Sequence, residues 1–333
     1  MLIIEYAVPY SLRYGIFPML NLTYFYMQST WKAAMNCYTE KDWRDFVLFS
    51  ANVQHLLGIH QIDIQQNLHR AAINFSKRQA ETDVTKFQFE SKTYWISPER
   101  AQFILSFHFG YYRAVPAFLV QRGYKLCIPV AKEVMLQQSQ HYAALLGDRW
   151  QKQVVFLDAE DPYLFFKLRQ QMDLGYHVFC YLDGGVSTAN DVQGQKLSEI
   201  PFLNGSIKIK HGILHMAFLL QKNITVLIAK IAAENEPIVI YELSHWYENW
   251  FPSGRQFTDY FSRIIYKDFE EVLLEYPEAW EAWFYLHRIM LPSSDVAIWP
   301  AKTSRIIFFN IKQKQLLLDK FTYLSYLLPG TTF

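Results

Sequence analysis

The sequence lacks a strong excess of either charge and is poor in cysteine, and each lack excludes a class of protein. Its 32 basic residues are balanced by 31 acidic ones, which gives a net charge of +1. A protein that binds nucleic acid does so largely through positive charge, so we expect no nucleic-acid partner. The three cysteines, Cys37, Cys127 and Cys180, have spacings that fit neither a disulfide framework nor a zinc motif. Cys127 and Cys180 lie in apolar runs and are predicted to be core residues.

The sequence also lacks an apolar run of the roughly 20 residues that a membrane-spanning helix needs. The nearest approach is residues 1–27, which are interrupted by Glu5, Pro9, Arg13 and Pro18. This aromatic segment has no feature of a cleavable signal. It could pack on the domain as a helix or lie on a membrane surface. We therefore expect a cytoplasmic protein, either free or peripheral at the inner face of the cytoplasmic membrane.

Several signature motifs of catalysis are lacking as well. There is no GxxxxGK[ST] phosphate loop, no GxGxxG dinucleotide fingerprint and no GxSxG elbow with a serine nucleophile. His211 and His215 are four residues apart on a predicted helix, but no Glu follows His211 directly and no third ligand is apparent. We therefore expect no metal site and no resident cofactor. His55, His60 and Asp63 are interpreted as a solvated helix face.

What the sequence does contain is a change of pattern near residue 100. Residues 1 to about 90 place apolar residues at spacings of three and four, which predicts helices. Beyond residue 100, short apolar runs alternate with helical patterns. The runs are residues 102–107, 125–130, 153–157, 177–182, 225–231 and 237–243, and the helices lie near 112–122, 134–147, 161–174 and 206–221. This alternation predicts an α/β fold whose central sheet is mostly parallel and flanked by helices.

The same pattern divides the chain into three parts. Residues 1–95 are predicted to be a helical N-terminal segment, residues 96–291 the α/β core and residues 292–333 a short C-terminal extension. The extension contains a predicted strand, SRIIFFNIK, and an amphipathic stretch, QLLLDKFTYLSYLL. Residues 184–199 have no apolar pattern and follow a strand end, so we predict a loop of the kind that often binds ligands.

Polar residues follow the predicted strands at the edge where open parallel sheets bind their ligands. They are His108, Asp158 and Asp183. His108 lies on a strand-to-helix turn, where the partial positive charge of the helix start favours the neutral imidazole. It could act there as a general base or be a structural hydrogen-bonding residue.

A second candidate region is LDGG followed by PFLNGS. Asp183 ends a strand, Gly184 opens the loop, Gly205 precedes the predicted helix 206–221 and Ser206 lies at its start. The free N–H groups of a helix start could bind a carbonyl oxygen, a phosphate or a carboxylate, and Lys208 would add charge. An ordinary glycine turn capped by Ser206 is the alternative.

Taken in order, HFGYYR, LDGG, PFLNG and YPEAWEAWFYLHR resemble the motifs of the bacterial lipid A biosynthesis acyltransferases, within the lysophospholipid acyltransferase-like superfamily. The likeness covers roughly residues 35–290. The residues that match the closing motif are Pro277, Trp280, Trp283, His287 and Arg288. The resemblance implies a glycerol-3-phosphate acyltransferase-like core and the transfer of a fatty acyl group from acyl carrier protein or acyl-coenzyme A to a hydroxyl or amine.

In the family's first motif, a His is followed after four residues by Glu or Asp. The resemblance implies that His108 is the base, but Arg113 occupies the position of the acid. An arginine cannot stabilise the imidazolium by attraction. We expect Asp183 to replace the acid, since it matches the family's strand-end Asp, and Asp158 and Glu160 are weaker candidates.

Arg113 and Lys132 are predicted to bind a phosphate or carboxylate of the donor or acceptor. Lys132 stands where the family usually has Arg and Asn, so the acceptor is expected to differ from the lipid A precursor. Tyr111 flanks the predicted site, and an aromatic content of 17% favours an apolar substrate.

Two functions remain open. The first is an acyltransferase of altered acceptor, with an acyl thioester as its co-substrate. The second is a catalytically degenerate relative that acts as a binding or scaffold partner in a lipid or carrier-protein-dependent biosynthetic pathway. In that case Arg113 would mark lost catalysis and the extension 292–333 would meet a partner protein.

Overall fold

The computed structural model describes residues 39–80, 87–89, 100–132, 134–136, 139–140, 148–184, 197–229, 238–246, 251–289, 306–311 and 314–327. The chain divides into two compact units. Unit 1 comprises Met1–Arg70, Leu203–Ser206 and Trp283–Phe333, and unit 2 comprises Ala71–Phe202 and Ile207–Ala282. Predictions for the aromatic N-terminal segment, for Cys37 and for most of the loop 184–199 lie outside the described residues.

Twelve strands have complete bounds in the described residues. In chain order they are β1 (Phe87–Phe89), β2 (Phe103–Ser106), β3 (Leu126–Val130), β4 (Val154–Asp158), β5 (His177–Tyr181), β6 (Leu197–Phe202), β7 (Gly205–Lys210), β8 (Ile224–Ala229), β9 (Ile238–Trp246), β10 (Ile306–Ile311), β11 (Lys314–Asp319) and β12 (Leu324–Leu327).

Seven α-helices have complete bounds in the described residues. In chain order those with complete bounds are α1 (Glu40–Leu57), α2 (Ile62–Ala80), α3 (Val115–Gln121), α4 (Asp148–Gln153), α5 (Leu164–Asp173), α6 (Gly212–Leu219) and α7 (Gly254–Glu275). Short 3₁₀ turns occupy Tyr112–Ala114, Pro277–Ala279, Glu281–Phe284 and Leu286–Arg288. No helix in the described part of the chain is both long enough and apolar enough to cross a bilayer.

Unit 2 is built on a seven-stranded sheet of order β1-β9-β8-β2-β5-β3-β4. The strands from β8 to β4 are parallel to one another, and β9 is antiparallel to β8. Every residue of β2, at the centre, is buried, as expected for an apolar strand with neighbours on both sides and covered faces. All six apolar runs form strands of this sheet, so the predicted α/β fold with a mostly parallel, helix-flanked sheet is confirmed.

The predicted helices near 112–122 and 161–174 are confirmed as α3, with its preceding 3₁₀ turn, and α5. The described residues of the predicted helix 134–147, namely 134–136 and 139–140, are helical. Cys127 is fully buried, and burial raises the pKa of its thiol to about 12. Burial, followed by the negative charge of Asp183, likewise raises the pKa of Cys180 to about 12. Neither thiol is a nucleophile at neutral pH.

The start of the predicted helix 206–221 is wrong. Residues Gly205–Lys210 form strand β7, which pairs with β6 in a two-stranded sheet, and α6 begins only at Gly212. Ile207 and Ile209 are buried whereas Lys208 is half-buried. Apolar and polar residues thus alternate with the period of two of a strand. The predicted helix start that would have used Gly205, Ser206 and Lys208 for anion binding does not exist.

Unit 1 combines α1 with an antiparallel sheet of order β10-β11-β12. Their apolar residues form one buried cluster: Trp43, Phe46, Val47, Ala51, Ile307, Phe309, Leu316 and Leu318. The strand predicted in SRIIFFNIK is confirmed as β10, and the amphipathic stretch that follows contains β11 and β12. The C-terminal strands therefore supply half of this cluster.

The interpretation of His55 as part of a solvated face is wrong. Its Nε2 atom is 2.8 Å from the carbonyl oxygen of Lys320, and its ring is stacked on Tyr323 with centroids 5.0 Å apart. Burial lowers the pKa of His55, and hydrogen bonding to the backbone of residues 320 and 321 opposes that shift. The apolar periodicity of α1 cannot show that the turn between β11 and β12, near the other end of the sequence, contacts His55.

Candidate active site

The candidate site lies in unit 2, at the carboxyl ends of two adjacent parallel strands. β2 pairs with β5 in a register that places Ser106 opposite Tyr181. His108 follows β2 by two residues and Asp183 follows β5 by two residues. The strand register therefore brings the two side chains to the same point of the sheet edge.

His108 and Asp183 are in direct contact. The imidazole Nδ1 atom is 2.8 Å from Oδ1 of the carboxylate. The backbone N–H of His108 also donates to both carboxylate oxygens, at 3.0 and 3.1 Å. Because an ionised carboxylate can only accept, the hydrogen lies on Nδ1 and the lone pair on Nε2. A neutral histidine in this tautomer presents a proton acceptor at Nε2, as a general base must.

Asp183 is buried, whereas His108 remains partly accessible to solvent. Asp183 is 5% exposed, whereas the side chain of His108 is 21% exposed. Burial lowers the pKa of His108, but the charge and hydrogen bond of Asp183, with a smaller contribution from Glu281, outweigh it. Arg113 opposes them weakly, and the net result is a pKa above the ordinary value of 6.5. The imidazolium is thus stabilised when it forms.

The segment that matches the closing family motif runs beside the turn that carries His108. The N–H of Gly110 donates to the carbonyl of Ala279 at 3.0 Å, and the N–H of Glu281 donates to the carbonyl of His108 at 2.9 Å. Between them, the indole N–H of Trp280 donates to Oδ2 of Asp183 at 2.7 Å. A segment distant in sequence therefore contacts both members of the pair.

Arg113 is bound to a carboxylate that sequence reasoning missed. Its Nη2 atom is 3.4 Å from Oε2 of Glu281, and its Nε–H donates to the hydroxyl of Tyr112 at 2.9 Å. The Tyr112 hydroxyl in turn donates to the same Glu281 oxygen at 2.5 Å. The cation at the family's acid position is thereby paired with an anion, and the side chain of Arg113 remains 42% exposed. No local signal in the sequence distinguishes Glu281 from other surface acids.

Aromatic rings surround the imidazole. The centroids of Tyr181 and Tyr112 lie 4.3 and 4.8 Å from that of His108. The Tyr181 hydroxyl donates to the backbone carbonyl of Tyr112 at 2.9 Å, which fixes the two rings relative to each other. Tyr111, predicted to bind substrate, is half-buried, and its ring centroid lies 5.4 Å from that of Phe75.

Gly184 lies directly beside the His108 ring. A Cβ atom added at this glycine would be 3.2 Å from Cε1 of His108 and 3.4 Å from the carbonyl oxygen of Tyr181. Such a contact is tighter than most real Cβ contacts, so any larger residue would press on the imidazole. The predicted association of Gly184 with the site is therefore matched by the geometry.

The remaining predicted residues lie elsewhere. Lys132 is exposed just beyond the end of β3, on the same sheet edge but separated from β2 by β5. Lys208 lies on β7, while Gly205 and Ser206 belong to unit 1. Of the carboxylates considered, Asp183 is the one that contacts the imidazole.

Asp158 and His211 make other contacts. Asp158 accepts a hydrogen bond from the backbone N–H of Glu160 at 2.9 Å. His211 contacts the hydroxyl of Ser198 through Nδ1 at 3.0 Å. Within the described ranges there is no group of three or more His, Cys, Asp and Glu side chains that could bind a metal ion.

Comparison with known proteins does not assign this chain to a family. Neither the protein-family models nor the curated proteins with which the sequence was compared match this chain. The acyltransferase resemblance consequently remains an expectation from the motifs. The function has to be inferred from the residues around His108.

Proposed function

We propose that this protein is an acyltransferase that moves an acyl group from a thioester of acyl carrier protein or coenzyme A to a hydroxyl or amine. The observation that carries the proposal is the contact between Nδ1 of His108 and Asp183. It supplies the carboxylate that the motif HFGYYR lacks at Arg113. The mostly parallel core and the site at its carboxyl edge are compatible with a glycerol-3-phosphate acyltransferase-like fold.

The chemistry follows from the orientation of the imidazole. Nε2 of His108 takes the proton of the acceptor hydroxyl or amine as that group attacks the thioester carbonyl. The carbon–sulfur bond then breaks, and the leaving sulfur takes the proton back from the imidazolium. Asp183 stabilises the cation between these two steps, as the carboxylate does in a serine hydrolase triad.

The acceptor is expected to differ from the lipid A precursor, because Lys132 stands where the family usually has Arg and Asn. Arg113 and Lys132 would bind a phosphate or carboxylate of the donor or acceptor. Because Glu281 already compensates the charge of Arg113, this arginine contributes hydrogen-bond donors more than net positive charge. The rings of Tyr112 and Tyr181 supply apolar surface next to the reacting atom, which suits an acyl chain.

A matched pair of histidine variants tests the proposal. Purified protein is incubated with acyl-carrier-protein and acyl-coenzyme A thioesters, and released thiol is measured with a chromogenic disulfide. We expect thiol release that His108→Ala abolishes and that His215→Ala, a change at an exposed helix position, leaves intact. Equal release by His108→Ala would refute the assignment.

A second candidate function is a binding or scaffold partner that has lost catalysis. Arg113 at the position of the family's acid is the observation that favours it. In this case no thioester is turned over by the wild-type protein. Saturable binding of carrier protein, unaffected by His108→Ala, would support it.

A further inference from the structure

We propose that Trp280 is a positioning residue of this site: its indole N–H sets the orientation of the Asp183 carboxylate, and Asp183 in turn orients His108. The catalytic consequence rests on the proposed function. The contact itself does not, because it can be detected in protein that turns over nothing.

The hydrogen bonds to Asp183 show why an additional donor matters. Oδ1 accepts from Nδ1 of His108, while the backbone N–H of His108 is shared almost equally between Oδ1 and Oδ2. A shared donor does not distinguish one rotation of the carboxylate plane from another. The indole N–H of Trp280, at 2.7 Å from Oδ2, fixes the second oxygen and with it the plane.

Trp280 is itself held by packing. It is 1% exposed, and its ring lies 5.5 Å from Phe202 and 5.4 Å from Phe269 between centroids. Phe269 is stacked on Phe107, at the end of β2, with centroids 3.9 Å apart. The backbone of Trp280 also forms a β-bridge with Phe109. The donor is therefore anchored to the same strand end that carries His108.

The chemistry of the indole suits a positioning role. It donates one hydrogen bond and does not titrate in the working pH range, so it orients the carboxylate equally well at every stage of proton transfer. Its single N–H donates to Oδ2 of Asp183, whereas Nδ1 of His108 contacts the other oxygen, Oδ1. A phenylalanine retains most of the packing and removes the donor.

The direct test is nuclear magnetic resonance of the indole N–H groups. In ¹⁵N-labelled protein the Trp280 signal is identified as the one missing from Trp280→Phe. We expect this signal to move when Asp183 is replaced by Asn and to follow the titration of His108. The Nδ1–H tautomer of His108 should become mixed in Trp280→Phe. An indole signal that ignores Asp183→Asn would overturn the inference.

Trp283→Phe is the matched control, because Trp283 is equally buried in the same segment. It should leave the His108 signals unchanged. Should Trp280→Phe not fold, Trp280→His retains a ring N–H donor in its place, and the indole signal of Asp183→Asn still decides the question.

The kinetic test separates positioning from a merely structural role. We expect Trp280→Phe to lower kcat about 10- to 100-fold, the range for a lost hydrogen bond to a charged group, with KM nearly unchanged. The loss should nearly vanish in an Asp183→Asn background, since the two residues act through one path. Additive losses would contradict the inference. If the wild-type protein turns over no thioester but the Trp280 indole signal still responds to Asp183→Asn, the proposed function is refuted and the positioning contact is retained.

Discussion

The guanidinium of Arg113 lies 3.4 Å from the carboxylate of Glu281, 168 residues further along the chain. The ion pair places a cation and an anion at the edge of the His108 site. Burial and the charge of Asp183 have the larger effects on the imidazole, and this ion pair adds two smaller, opposed ones. Exposure of both partners to solvent screens these effects without removing them.

The first prediction concerns these opposed charges. Glu281→Gln should lower the pKa of His108, because it removes a negative charge, and Arg113→Gln should raise it. The measurement is a titration of the His108 ring signals by nuclear magnetic resonance. Asp161→Asn, a neutralisation at a surface pair with Lys167, is the control and should have no effect. Shifts of the same sign in both site variants would contradict the assigned contacts.

The second prediction is the pH dependence of turnover. The reaction requires the neutral imidazole, and the pKa of His108 is raised above 6.5, so the acid limb of the kcat/KM profile should have its midpoint above 6.5. In Asp183→Asn, burial is no longer outweighed, and the midpoint should fall. The same raised pKa stabilises the folded protein at pH values below 6.5, and this contribution is lost as the pH rises through the folded pKa. An unchanged midpoint in Asp183→Asn would refute the effect of Asp183 on the pKa of His108.

The third prediction concerns Lys320, which is completely buried and donates to Oε1 of Gln65 at 3.1 Å. Burial lowers the pKa of this amine from 10.5 to about 7. Between these values the unfolded chain binds more protons than the folded one, so the free energy of unfolding should rise with pH from about 7 to about 10.5. Lys320→Met should flatten this dependence in urea unfolding curves. Lys152→Met, at an exposed position, should not.

The fourth prediction compares two glycines of positive φ. A Cβ at Gly110 would lie 2.1 Å from the carbonyl oxygen of Ala229, whereas one at Gly123 would meet nothing within 4 Å. Gly123→Ala should cost about 1 kcal/mol of stability through backbone strain alone. Gly110→Ala should cost several times as much, because backbone must move, and thermal denaturation measures both. Similar losses of stability in the two variants would show that the backbone around Gly110 can move to accommodate a Cβ atom.

The strands of the sheet could be predicted because a parallel strand that is buried on both faces needs apolar residues at consecutive positions. FILS of β2 and HVFCY of β5 each contain three or more consecutive apolar residues, as a strand covered on both faces requires. The order of the strands in the sheet could not be predicted, because no local sequence signal specifies it. Even so, the location of His108 and Asp183 at strand ends was enough to predict that they would share an edge.

The sequence-based predictions missed two features, strand β7 and the distant partners of the candidate site, for different reasons. GSIKIK of β7 alternates with a period of two, which is a strand signal and does not fit the predicted helix start. The two-residue loop before it, Leu203–Asn204, has a positive φ at Leu203, which no local signal indicates. Glu281 and Trp280 were beyond prediction as partners of the site, because their roles depend on a contact between distant segments. Sequence periodicity reports which side of an element is buried and not which residue covers it.

The C-terminal sheet of unit 1 has a consequence for the order of folding. Half of the apolar cluster around α1 comes from β10 and β11, and Tyr323 reaches Asn52 across 271 residues of chain. During synthesis this cluster cannot be completed until β10 and β11 have been made, whereas the last residue of unit 2, Ala282, is added before either strand. The first helix to be made in the described chain therefore acquires only part of its packing early, from His69 of α2 against Phe46 and Phe49. A nascent chain stalled before β10 would expose to chaperones the residues of α1 that β10 and β11 later cover.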